Sequence, residues 1–176
     1  MPPHSAGLVV YRRLDRHGRG DEPGGARART VEVLLVHPGG PYWVRRDEGW
    51  WSIPKGEVGE GEDALAAAER EFAEELGLPA PAGERLALGE IVQAGGKHVR
   101  AWAIAGDLDV STIDGGSFEL EWPPRSGKLQ TFPEVDRAAW YDLEAARRKL
   151  LPGQLPLLDR LEAAITSSPG GSVLQK

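Results

Sequence analysis

Residues 56–78, GEVGEGEDALAAAEREFAEELGL, place a glycine-rich segment directly before a helix crowded with carboxylates. Glu71, Glu74 and Glu75 stand at i, i+3 and i+4, so all three project from neighbouring positions on one helical side. Like charges at that spacing destabilise an isolated helix by roughly 0.2–0.5 kcal/mol per pair. Glu74 and Glu75 also fall in the last turn before Gly77, where the helix dipole disfavours negative charge. A sequence shaped by folding alone would put lysine there. A compensating positive charge is called for, and a divalent cation is the best candidate.

A charge run is most often a solvated helix face. The rest of this pattern argues for more. Leu65, Ala68, Phe72 and Leu76 form an apolar stripe opposite the carboxylates, and Arg70 can bridge to Glu74 one turn on. Asp63 is suited to cap the helix, and Glu62 lies near its start, where the dipole favours an acid. Glutamates without cysteine or histidine partners select a hard cation, Mg²⁺ or Mn²⁺. Mg²⁺ keeps several waters and is commonly completed by phosphate oxygens, so a pyrophosphate substrate fits the cluster.

These residues carry a family resemblance. The pattern G-x5-E-x7-R-E-U-x-E-E-x-G-U, with U a bulky apolar residue, is the signature of the Nudix hydrolases. Gly56, Glu62, Arg70, Glu71, Phe72, Glu74, Glu75, Gly77 and Leu78 fill every specified position. The resemblance implies an α/β fold, a Nudix α/β/α sandwich with a mixed β-sheet between helices, and hydrolysis of phosphoanhydride bonds. It implies metal ligation by Glu71, Glu74, Glu75 and the main-chain carbonyl of Lys55. Arg70 is implied to orient a carboxylate, and Glu62 to be an accessory acidic group. Nudix enzymes often use one more glutamate outside the signature; Glu134 is the first candidate, with Glu119 and Glu121 as alternatives.

The run WSIPKGE from Trp51 resembles the W-x-x-P-K-G of Nudix members that hydrolyse dinucleoside polyphosphates, in which Lys55 can also contact phosphate. It departs from them at Glu57, where histidine is frequent. Their downstream tyrosine is missing, as Ala94, Gly95 and Gly96 occupy that region, and the proline that marks ADP-ribose hydrolases is missing too. Tyr42, Trp43, Arg45 and Arg46 precede the signature and could form a mouth in which a ring stacks on a base and arginines hold phosphates. Core packing explains the six tryptophans equally well. Lys97, His98 and Arg100 form a second basic cluster, in which His98 reads as a surface histidine.

The expected function is therefore Mg²⁺- or Mn²⁺-dependent hydrolysis of a small-molecule nucleotide or other pyrophosphate, with dinucleoside polyphosphates and nucleoside triphosphates favoured. Diphosphoinositol polyphosphates and capped RNA ends are alternatives within that chemistry. A non-catalytic nucleotide-sensing Nudix domain is an alternative outside it, although such domains usually lose signature carboxylates. A net charge of −6 argues against broad binding to nucleic acid or anionic membranes. Zero cysteines exclude a disulfide framework and thiolate chemistry. No run approaches transmembrane length and no signal-peptide core is present, so a cytoplasmic location is expected. Nothing in the composition sets an oligomeric state.

The 176 residues predict one domain over 1–166, with a flexible loop over 12–29 and a disordered tail over 167–176. Strands are expected at 6–11, 31–36, 50–53, 86–93, 98–104 and 138–141, with an edge strand at 118–122 and a polar loop over 123–134. Helices are expected at 143–150 and 155–165. In the second of these, Leu155, Leu158, Leu161 and Ile165 make a packing stripe.

Overall fold

A computed structural model describes residues 4–15 and 29–167. Its central element is β1 (His4–Asp15), flanked by β2 (Arg29–Pro38), β3 (Lys55–Glu57) and β5 (His98–Ala105). With β4 (Leu86–Val92) and β8 (Val135–Asp142) these build one sheet in the order β4-β5-β1-β2-β8, with β3 attached to β1. The sheet is mixed: β1 and β5 run parallel, and every other pairing is antiparallel. Residues 5–11 are buried without interruption, as expected of a strand covered on both faces. Ala6, Leu8 and Val10 point to one layer, while Val9 and Tyr11 point to the other.

The first layer is α1 (Ala64–Leu76), which packs Ala67, Ala68, Phe72 and Leu76 against the sheet. The second consists of α2 (Leu143–Lys149) and α3 (Leu155–Ser167), bringing Ala146, Leu157, Leu158 and Leu161. The α/β/α sandwich with a mixed sheet is thus present, and the α3 stripe is core packing, with Leu155 and Ile165 at its margin. Among the described residues no helix is long and apolar enough to cross a membrane.

Both ends of α1 follow the side chains anticipated for them. The Asp63 carboxylate accepts the Ala66 N–H at 3.0 Å, satisfying a donor that the first turn leaves free. Gly77 takes the left-handed conformation, φ 67°, and its N–H donates to the Ala73 carbonyl.

Four local expectations are corrected. Residues 50–53 do not form a strand; Ser52 and Trp51 make only isolated bridges, to Val36 and Leu150. The strand is instead β3, inside the stretch read as a glycine-rich loop, because the free edge of β1 at residues 5–7 is there to accept it. Residues 12–15 continue β1 and Arg29 starts β2, so only residues 16–28 of the expected loop remain, and these lie outside the described residues. Within the supposed polar loop, β7 (Leu129–Pro133) pairs with β6 (Ser117–Glu121) in a separate two-stranded hairpin, and β6 is not an edge of the main sheet. Its alternation was hard to read because most of its side chains face solvent. Ser167 closes α3, and residues 168–176 lie outside the described residues.

β1 pairs with β2 only from Tyr11 onward and with β3 only over residues 5–7. Between these points the two strands separate, and residues 51–57 fill the gap: Ser52 exchanges two backbone hydrogen bonds with Val36, and the Leu8 N–H donates to the Pro54 carbonyl. Gln154, fully buried in a 3₁₀ turn before α3, holds this segment from the far side. Its Oε1 accepts the Ile53 N–H at 3.0 Å, and its Nε2 donates to Ser52 Oγ and to Gln93 Oε1, each at 2.9 Å. Gln154→Leu strands the buried Ile53 donor and should cost about 1–3 kcal/mol in urea unfolding. A loss below roughly 0.5 kcal/mol, the range of a surface change, would refute the clamp.

Candidate active site

The separation of β1 and β2 opens a cleft floored by residues 51–57 and walled by the carboxylate side of α1. Glu71 lies so close to β3 that a Cβ on Gly56 would overlap its carboxylate, so glycine is required there by close approach. The Glu75 carboxylate accepts the Lys55 N–H at 3.1 Å. Burial pushes the Glu75 carboxyl up to about 7; the nearby Glu71 and Glu134 reinforce the shift and Lys55 opposes it. Burial likewise lowers the Lys55 ammonium, helped by the neighbouring charge of Lys97. Both shifts have the same origin: charged groups are withdrawn from water into one small space.

Arg70 offsets part of the repulsion. Its guanidinium donates to Glu62 at 2.8 and 3.0 Å, to Glu71 at 2.8 Å, to Glu74 at 3.2 Å and to the Glu57 carbonyl at 2.9 Å. Glu62 also accepts the Gly59 N–H, and Arg70 together with that bond holds the Glu62 carboxyl down to about 2. The guanidinium itself is shifted upward, chiefly by Glu62 and then by Glu71. Its five donors are occupied by the loop and the helix, which suits it to orient Glu71. Glu71 is 17% exposed and Glu74 is 55% exposed, so Glu74 stands at the rim and Glu71 further in.

Two cavities meet across Lys55, Glu75, Glu134 and Trp43. One, of about 320 Å³, is largely apolar, with Trp43, Trp50, Val36, Ile53 and Leu151 in its wall. The other, of about 490 Å³, is an open acidic trough that adds Glu71, Glu74 and Phe118. Glu134 is thus brought to the cleft. Glu119 and Glu121 lie on the exposed side of β6, where Glu121 accepts the Gly127 N–H in the hairpin turn.

The aromatic and basic candidates separate. Trp43 and Trp50 lie 5.2 Å apart between ring centroids and line the apolar cavity. Trp51 is buried against His37 and Tyr141, while Trp102 and Trp140 pack in the core on the α1 side. Tyr42 meets Trp122 of the hairpin loop edge-to-face. Arg45 and Arg46 are exposed on the turn that carries Trp43 and line neither cavity; Arg46 covers the face of Trp50 at 5.0 Å. His98 is engaged by Glu90 at 2.7 Å.

Several residues that shape the cleft escaped sequence reasoning. Fully buried His37 lies 2.6 Å from the Asp136 carboxylate through Nδ1 and 2.7 Å from the Arg46 carbonyl through Nε2. Each ring nitrogen thus faces an oxygen, one on β8 and one on the turn before residue 50. This brace fixes the turn bearing Trp43, and its sole sequence signal was a histidine at the end of an apolar strand. Trp50, Leu151 and Phe118 carried no signal, since each reaches the cleft from a different part of the chain.

The family model of the NUDIX domain matches residues 26–161. The chain is 32% identical over 149 residues to an 8-oxo-(d)GTP phosphatase of Mycolicibacterium smegmatis, an alignment covering 83% of this chain and 37% of that protein. It is 32% identical over 162 residues to an RNA pyrophosphohydrolase of Teredinibacter turnerae, covering 77% of this chain and 94% of the relative. The chain thus spans well under half of the mycobacterial relative's length but almost all of the second's. A crystal structure of a C. elegans Ap4A hydrolase binary complex superimposes with a TM-score of 0.59 at 23% identity, covering 93% of this chain and 99% of that one, which shows a shared fold. With its fold, its signature residues and a family match over most of its length in agreement, the chain belongs to the Nudix family.

Proposed function

We propose that the chain is one Nudix domain that hydrolyses phosphoanhydride bonds in nucleoside diphosphate-linked substrates with Mg²⁺ or Mn²⁺, dinucleoside polyphosphates and nucleoside triphosphates being favoured. The observation that carries this reading is the convergence of Glu71, Glu75 and Glu134 on Lys55 where an acidic trough joins an apolar pocket. The donor set fits a hard cation: the carboxylates crowd one another, and burial leaves Glu75 poorly compensated by the protein alone. Glu71, Glu74 and Glu75, with the carbonyl of Lys55, would hold the metal. When bound, it neutralises phosphate charge and lowers the pKa of an attacking water.

The protein's own groups divide the remaining work. Arg70 orients Glu71 and keeps the loop closed on the helix. The Lys55 ammonium, in the same cleft, attracts the phosphate chain. Glu134, facing Glu75 from the β7–β8 junction, is placed to take a proton from water. Trp43 and Trp50 offer ring surface to a base at the apolar end. The relatives named as an 8-oxo-(d)GTP phosphatase and an RNA pyrophosphohydrolase support the same bond class.

A panel of diadenosine tetraphosphate, nucleoside triphosphates, 8-oxo-dGTP, ADP-ribose, a diphosphoinositol polyphosphate and 5′-triphosphorylated or capped RNA, assayed with Mg²⁺ and Mn²⁺, tests the proposal. Turnover is expected for at least one nucleotide. Glu75→Gln should lower kcat by roughly 100-fold or more, since metal charge stabilisation is worth several kcal/mol and each 1.4 kcal/mol is tenfold. Binding without turnover across the panel would favour a nucleotide sensor instead. Glu134→Gln should reduce kcat by about 10²-fold, with Glu119→Gln and Glu121→Gln near wild type; normal turnover in Glu134→Gln would remove it from the mechanism. Trp50→Ala should raise KM about tenfold with little change in kcat, because stacking on a base is worth roughly 1–3 kcal/mol. An unchanged KM would move base recognition elsewhere.

A further inference from the structure

His4, Glu90 and His98 stand on three adjacent strands at one end of the sheet. β1 and β5 pair in parallel with His4 opposite His98, and β4 sets Glu90 opposite Arg100, two residues along β5 from His98. Side chains alternate along a strand and partners face the same way, so all three groups emerge on one face. The two imidazole rings lie 5.3 Å apart between centroids, and His98 Nδ1 is 2.7 Å from Glu90 Oε1. One donor atom from each residue lies within 4.8 Å of the other two. None of the three lines either cavity of the cleft.

We propose that His4, Glu90 and His98 bind a borderline transition-metal cation, Zn²⁺ or Ni²⁺, at a site separate from the acidic cleft. Two imidazoles and a carboxylate are the ligand types these ions prefer, whereas Mg²⁺ takes oxygen donors. Ligands held about 2.1 Å from Zn²⁺ in a tetrahedron lie roughly 3.4 Å apart. The ligand atoms lie within 4.8 Å of one another, so side-chain rotation on the order of 1 Å on a backbone fixed by pairing would close the site. Arg100, 3.8 Å from Glu90 Oε2 and exposed, does not engage Glu90 Oε1, which faces His98 Nδ1 at 2.7 Å. Three protein ligands leave a coordination position for water or an anion. Such a metal would tie the start of β1 to the β4–β5 hairpin, and binding to the folded chain alone raises its stability.

The test is a Zn²⁺ titration of the full chain against a chromophoric chelator, with excess Mg²⁺ to occupy the carboxylates of the cleft. His98→Gln and His4→Gln should each weaken one Zn²⁺ site by at least about tenfold, since loss even of an outer-shell partner costs roughly 10–100-fold. Glu71→Gln should leave that site unchanged. Zn²⁺ should also raise the melting temperature of wild type and fail to do so in His4→Gln, whose exposed side chain makes its removal compatible with folding. Unaltered Zn²⁺ affinity in both histidine variants, or loss of the site in Glu71→Gln alone, would overturn the proposal.

Discussion

The cleft depends on one backbone arrangement: β1 lends a single edge to two partners. Its C-terminal half pairs with β2 and its N-terminal half with β3, so β1 and β2 must part between them. Residues 51–57 occupy the opening and satisfy the amides and carbonyls that the parting exposes, through Val36, Leu8 and the side chain of Gln154. Unpaired backbone groups in a core cost too much for this gap to exist otherwise. The same segment carries Lys55 and Gly56, so the device that repairs the sheet also places the edge against which Glu71 and Glu75 lie.

Electrostatics is then arranged around a deliberate imbalance. Arg70 gathers Glu62, Glu71 and Glu74 with the Glu57 carbonyl and makes the approach of loop and helix favourable. Among the described residues Glu75 is held by Lys55 alone, through its N–H and its charge, and it lies where burial and two other carboxylates oppose its ionisation. The imbalance is confined to one side of α1, which Phe72, Leu76 and both caps anchor on its others.

Much of this was legible in the chain. The spacing of Glu71, Glu74 and Glu75, the Asp63 cap and the Gly77 stop are local properties of a helix, set within four residues along the sequence, and all three describe α1 as it stands. Most sheet strands were legible for a related reason: runs such as residues 6–11 are apolar enough that burial is their only stable outcome. The segments missed are those whose state depends on a distant partner. β3 needs the free edge of β1, and β7 needs β6, while neither Lys-Gly-Glu nor Leu-Gln-Thr-Phe-Pro shows strand patterning of its own.

The site divides in the same way. By itself the sequence determined the family, because the signature residues from Gly56 to Leu78 all lie within one window of the chain. Only the tertiary structure decided which other residues share that space. Glu134 is brought to the cleft while Glu119 and Glu121 are turned away; Trp43 and Trp50 face it while Trp51 is sealed in the core; Arg45 and Arg46 stay outside. Those choices follow from long-range strand pairing and from the His37 brace, which joins residues 99 positions apart at Asp136. No periodicity in a single chain encodes a contact of that separation, whereas the helix that carries the carboxylates is written within one window of the sequence.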